Sequence, residues 1–257
     1  MSRIGARFKK LHREGRKAFI PYIMAGYPTL DDTMKLIAML EKEGADIIEL
    51  GVPFSDPLAD GPVIQRAAES AVAAGVTLRK VIALVREARK WSKVPIVLMT
   101  YYNPVFKYGL EAFVRDAVDA GVDGVIVPDL PPDEAGDLMK IAKPAGLDTI
   151  FLVAPTSTPD RRKIVAKAAR GFIYYVSITG ITGATLNMDK GIAESISALR
   201  ELSGGKPVAL GFGVSTPEEA AGVASMADGV IVGSAIVRRV SDPSLAEFVR
   251  SLRAAIR

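Results

Sequence analysis

Three carboxylates, Glu49, Asp56 and Asp60, crowd one proline- and glycine-rich stretch: Glu49-Leu50-Gly51-Val52-Pro53-Phe54-Ser55-Asp56-Pro57-Leu58-Ala59-Asp60-Gly61-Pro62. Glu49 is the unusual one. It stands inside the apolar run Ile47-Ile48-Glu49-Leu50, where an ionised carboxylate without a partner costs several kcal/mol. Such a group is either paired with a cation on a neighbouring strand or keeps its proton to a higher pH, and a raised pKa suits proton transfer near neutrality. None of the other apolar runs described below contains Lys or Arg, which favours the second reading. Asp56 and Asp60, beside proline and glycine, fit ordinary turn chemistry equally well.

A second kind of chemistry lies further along. Glycine clusters follow three late apolar runs: Ser177-Ile178-Thr179-Gly180-Ile181-Thr182-Gly183-Ala184, then Gly211-Phe212-Gly213, then Gly233-Ser234-Ala235. Loops of this kind beside helix N-termini offer backbone N–H groups to a phosphate. Composition narrows what else is possible. The chain has no cysteine and one histidine, His12, so thiolate chemistry, zinc-thiolate sites and His-rich metal sites are excluded, and no metal is expected. No apolar run offers a lysine for a Schiff base, and Lys206 precedes the seventh run rather than following it. What remains is carboxylate acid–base chemistry on a phosphorylated substrate.

These residues need a scaffold. Eight nearly continuous apolar runs, at 18–24, 46–50, 95–99, 123–127, 147–152, 172–176, 207–210 and 228–232, alternate with amphipathic stretches. Continuous rather than alternating apolar character marks parallel strands covered on both faces. The motif Asp-Gly-Val-Ile-Val occurs identically at 123–127 and 228–232, and Gly44-Ala45-Asp46-Ile47-Ile48 is a looser copy. Eight βα units without a break in composition predict an α/β fold, a single (β/α)8 TIM barrel domain over residues 1–257. A doubly wound open sheet is the alternative, but Ala25-Gly26-Tyr27-Pro28 after the first run is not a dinucleotide-binding turn. Pro21 inside that run predicts a bulge. The basic segment from Arg3 to Lys17 reads as a solvated first helix, and a net charge of +4 over 257 residues gives no footing for nucleic acid. The apolar run at 229–237 is far short of the ~20 residues of a membrane helix, and a cytoplasmic protein is expected.

The second loop, continuing through Val63-Ile64-Gln65, closely resembles the signature of the tryptophan synthase alpha chain family. So do Met99-Thr100-Tyr101-Tyr102-Asn103-Pro104, Val127-Pro128-Asp129-Leu130-Pro131, Gly180-Ile181-Thr182-Gly183, and the Gly211-Phe212-Gly213 and Gly233-Ser234 pairs, so the similarity spans essentially the whole chain. The resemblance implies a (β/α)8 barrel that cleaves indole-3-glycerol phosphate to indole and glyceraldehyde 3-phosphate. It implies Glu49 as the acid–base group at C3 of the indole and at the glycerol hydroxyl, and Asp60 as the holder of the indole N–H. It implies Thr182 in a lid loop that closes to exclude water and position Asp60, and Gly183, Gly213, Gly233 and Ser234 as amide donors to the phosphate. Tyr22, Met99, Ile126, Tyr174 and Phe212 line an indole slot, or equally serve as core. The family carries no cofactor in this chain; its partner is a beta chain with pyridoxal phosphate, in an α2β2 heterotetramer. Pro53, Asp56, Asn103, Phe106 and Pro131 face that partner. Two other readings of the chain are a regulatory binding subunit without turnover and a stand-alone indole-releasing lyase.

Overall fold

The computed structural model describes residues 2–176, 190–211 and 213–256. Each apolar run becomes a strand: β1 Ala18–Met24, β2 Ile48–Gly51, β3 Ile96–Met99, β4 Gly124–Ile126, β5 Asp148–Val153, β6 Ile173–Val176, β7 Val208–Gly211 and β8 Gly229–Val232. They pair in parallel, each with the next, and β8 returns to β1 to close the barrel. The two ends of the chain's strand order therefore meet through the register Ala18↔Gly229 to Pro21↔Val232.

Side chains alternate across each strand, and two large cores result beside a smaller cluster around Tyr22, Met24 and Ile64. Ile48 and Leu50 point outward into the layer between strands and helices, where Ile37, Leu40, Val85, Phe113, Leu199 and Val249 also sit. Ile20, Ile47, Val97, Ile126, Ile150, Phe172 and Ile231 point inward and fill the barrel. The helix Arg3–Arg13 plugs that interior from the N-terminal end of the strands. Its Ile4, Phe8 and Leu11 are buried at helical spacing, and the Phe8 ring lies 5.8 Å from that of Phe172. So the basic leader is a helix, as its sequence predicts, but not merely a solvated one: charge masks a short apolar stripe.

The repeated Asp at the start of strands has a structural role. The Asp46 carboxylate accepts the Phe19 N–H at 3.0 Å, Asp123 accepts that of Ile96 at 2.9 Å, and Asp228 accepts that of Val208 at 2.9 Å. Each extends the ladder by one bond where the neighbouring strand begins. Arginines neutralise them: Arg3 at 2.5 Å and Arg89 at 2.7 Å on Asp123, Arg7 and Arg253 each 3.6 Å from Asp46, and Arg200 at 2.9 Å on Asp228. The bulge expected at Pro21 is not there. β1 pairs in unbroken register with β8 through Pro21 and begins its ladder with β2 only at Tyr22, so the missing donor falls before that ladder starts.

Candidate functional site

At the C-terminal end of the strands the inward positions enclose a cavity of about 510 Å³. Strand alternation decides what reaches it. Along β2 and the residue before it the inward series is Ile47, Glu49, Gly51, so the acid lies one layer above the barrel core. Glu49 is 1% exposed, and both carboxylate oxygens are without a hydrogen-bond partner among the described residues. The ion pair that sequence left open is therefore not made within this set. Gly51, one layer higher, is required: a Cβ there would stand 2.1 Å from the Tyr22 hydroxyl, which occupies that space. Gly211 admits the Tyr174 ring in the same way, at 2.6 Å.

Asp60 enters from the loop after β2 and lines the same cavity, half-buried. The Tyr101 hydroxyl donates to its Oδ2 at 3.2 Å and accepts the Ala59 N–H at 2.9 Å. Burial raises the Asp60 carboxyl to about 6, against the lowering effect of the Tyr101 hydrogen bond. Burial pushes Glu49 to about 8, and the Asp60 charge adds to the shift. Burial first, then the two carboxylates, drives the Tyr22 and Tyr174 phenols well above their ordinary value, so both are neutral donors at any working pH. The cavity thus holds one carboxyl that keeps its proton at neutral pH beside one that loses it.

Of the slot residues read from sequence, Tyr22, Met99 and Tyr174 line the cavity. Ile126 does not; it lies fully buried one layer deeper, in the interior core. The inward position that reaches the cavity after β4 is two residues on, Pro128, and on β5 it is Leu152. Gly213, Gly233 and Ser234 line the cavity as well. Gly233 and Ser234 open a one-turn helix, Ser234–Val237, whose first amides lack helical acceptors. Thr182, Gly183 and Phe212 lie outside the described residues.

Sequence reading passed over Arg238, which lines the cavity near Ser234, and Tyr101. His12 is exposed on the helix Arg3–Arg13, and Lys206, whose Nζ donates to the Ala166 carbonyl at 2.6 Å, lies before β7, so neither is at the mouth. Among the described residues no group of three or more acidic or histidine side chains could hold a metal ion, and no helix is long and apolar enough to cross a membrane.

Around the mouth, Asn103 and Asp56 are exposed, Phe106 is 64% exposed, Pro131 is partly covered, and Pro53 is buried. Leu58, in the loop carrying Asp60, is 93% exposed. The Ser55 hydroxyl donates to the Asp56 carboxylate at 2.7 Å, which is turn chemistry rather than a place in the cavity.

Known proteins match this architecture over its full length. The family model described as tryptophan synthase alpha chain matches residues 8–254. The tryptophan synthase alpha chain of Geobacter sulfurreducens is 51% identical, covering 100% of this chain and 99% of its own, and that of Dehalococcoides mccartyi is 48% identical, covering 98% of each. A crystal structure of tryptophan synthase subunit alpha from Legionella pneumophila superposes with a TM-score of 0.92 at 39% identity, covering 100% of this chain and 98% of that one. A structure of Mycobacterium tuberculosis tryptophan synthase gives 0.93 at 42% identity, with coverage of 100% and 98%. The chain belongs to the tryptophan synthase alpha chain family, lyase subunits that cleave indole-3-glycerol phosphate into indole and glyceraldehyde 3-phosphate in tryptophan biosynthesis.

Proposed function

We propose that Glu49 is the acid–base group of this cleavage and that Asp60 carries the opposing charge. Protonated Glu49 delivers its hydrogen to C3 of the indole ring, which turns a poor carbanion leaving group into a neutral one. The positive charge that develops on the ring is met by ionised Asp60 at the indole N–H. The glycerol hydroxyl next to the breaking bond then returns its proton to the Glu49 carboxylate. The electron pair of the carbon–carbon bond restores the aromatic ring, an aldehyde forms on the other fragment, and Glu49 ends protonated as it began. A buried carboxyl titrating near 8 beside one near 6 supports this division of labour. The pair titrates together, so kcat/KM is expected to form a bell whose limbs belong to both groups.

The phosphate end falls to the amides of Gly213, Gly233 and Ser234, with Gly183 from the loop after β6; Thr182 of that loop positions Asp60 when the lid closes and excludes water. Arg238 adds a positive charge at that end of the cavity. Tyr22, Met99, Tyr174 and Leu152 pack the ring, joined by Phe212. The whole of residues 1–257 acts as one domain in the cytoplasm.

A beta chain carrying pyridoxal phosphate receives the indole in an α2β2 assembly. The surface it meets is built on the exposed Asn103, Phe106 and Asp56 and the partly covered Pro131, with Pro53 itself buried, and the 64% exposure of the Phe106 ring supports that placement. The single observation that carries the reading is Glu49, buried, without a hydrogen-bond partner among the described residues and facing the cavity. Its test is indole release from indole-3-glycerol phosphate, with and without a beta chain. Glu49→Gln is expected to lower turnover at least about a hundredfold; cleavage at the wild-type rate overturns the assignment.

A further inference from the structure

We propose that Tyr101 is the positioning residue for Asp60, holding its carboxylate toward the cavity through a hydrogen bond whose direction the loop's own backbone enforces. This rests on the reading of Asp60 just given. Asp60 sits at the end of a loop without regular structure, and that loop's internal bonds leave its side chain unsupported. The Asp60 N–H donates to the Pro57 carbonyl at 3.0 Å, and Gln65 Nε2 donates to the Asp60 carbonyl at 2.8 Å. Both fix the main chain alone. The carboxylate itself is met by the Tyr101 hydroxyl at 3.2 Å.

A phenol has one hydrogen and can donate or accept. Here the Ala59 N–H, which can only donate, points at the same oxygen from 2.9 Å. The amide takes the accepting side of that oxygen, and the hydroxyl hydrogen is left to face Asp60. The bond is thus polarised toward an ionised carboxylate, the form in which Asp60 meets a cationic ring. The ring that carries this hydroxyl is itself held. Tyr101 is 7% exposed, and its ring stacks on that of Phe54 with centroids 5.2 Å apart and planes at 30°. One aromatic side chain from the loop after β3 therefore grips the loop after β2 near its start, at Phe54, and near its end, at Ala59 and Asp60. Its own base is anchored in turn: Tyr102, the next residue, donates its N–H to the Asp129 carboxylate at 2.9 Å.

Among the described residues the other titratable or charged groups around Asp60 are Glu49 on β2, Tyr22 on β1 and Tyr174 on β6, with Glu219 and Arg238 elsewhere on the cavity wall. Glu49 and the two phenols are uncharged at neutral pH. Removing the Tyr101 hydroxyl takes away a group that favours the Asp60 anion, so the acid limb of kcat/KM moves to higher pH.

The test is Tyr101→Phe, which keeps the ring and its stack on Phe54. Expected are a loss of about tenfold in kcat/KM at neutral pH, carried mainly by kcat, and an upward shift of the acid limb. Added to Asp60→Asn, the same substitution is expected to cost nothing further, because its target is gone. The limb position compares one variant with itself across pH and does not depend on how much of it is folded. An unmoved acid limb, or a tenfold loss that persists on the Asp60→Asn background, overturns the assignment of Tyr101. Full activity of Asp60→Asn alone overturns the reading of Asp60 and this assignment together.

Discussion

Glu49 keeps its proton because it is buried and nothing described around it supplies a positive charge or a donor, and that arrangement works against the fold. A carboxyl raised from 4.5 to about 8 binds its proton more tightly folded than unfolded. Between those two values the unfolded chain has released a proton that the folded chain retains, so stability falls as pH rises through that window and levels off above it. Glu49→Gln removes the penalty. The variant is expected to be more stable than the parent by on the order of 2–4 kcal/mol at pH 8, with the difference shrinking toward zero near pH 4. Denaturant midpoints measured across pH check this; a difference independent of pH contradicts it. The residue was legible in sequence because a lone acid in a continuous apolar run has few innocent explanations. Tyr101 was not, since its partners Ala59 and Asp60 lie far away along the chain and meet it only across the β2–β3 ladder. Ile126 was misplaced by one step of strand alternation: the sequence marks which residues of β4 face inward, not the height at which the cavity floor cuts the series.

At the level of elements, the strand-opening aspartates do a different job from the acids at the mouth. Asp123 is 5% exposed, takes bonds from Arg3, Arg89 and the Ile96 N–H, and lies at the end of the barrel opposite the cavity. Asp123→Asn leaves the Arg89 guanidinium, 11% exposed, without its counter-charge. It is expected to cost about 3 kcal/mol of stability while kcat and KM hold at temperatures where the variant stays folded. Chemical denaturation beside steady-state kinetics separates the two; a comparable fall in kcat would mean the ends of the strands are coupled. The eight strands themselves were readable because burial on both faces makes their sequences apolar without interruption, and the edges fell within about two residues of the expected ones. The echo at 123–127 and 228–232 was readable as a repeat, but its reason, a carboxylate that lengthens the neighbouring ladder, needed the register.

For the molecule as a whole, the mouth of the barrel carries the surface proposed to meet a partner. The helix Tyr102–Tyr108 presents Phe106, whose ring lies 5.8 Å from that of Tyr102 and is otherwise open. Phe106→Asp is expected to abolish stimulation of indole release by a beta chain at concentrations that saturate the parent, with the chain's own slow cleavage preserved. Titration of the beta chain into both forms tests this, and undiminished stimulation would move the contact elsewhere. Closure into a ring, with one domain's worth of alternating units, was the most legible feature of all. The seat of the helix Arg3–Arg13 was the least legible, because three apolar side chains in a basic run carry little periodic signal. That seat has a practical corollary. A surface linker, fluorophore or fusion attached ahead of Arg3 is held at the pole facing away from the cavity and the proposed partner surface, so an enzyme tethered there is expected to keep both open, whereas cutting the helix off uncorks the hydrophobic bore.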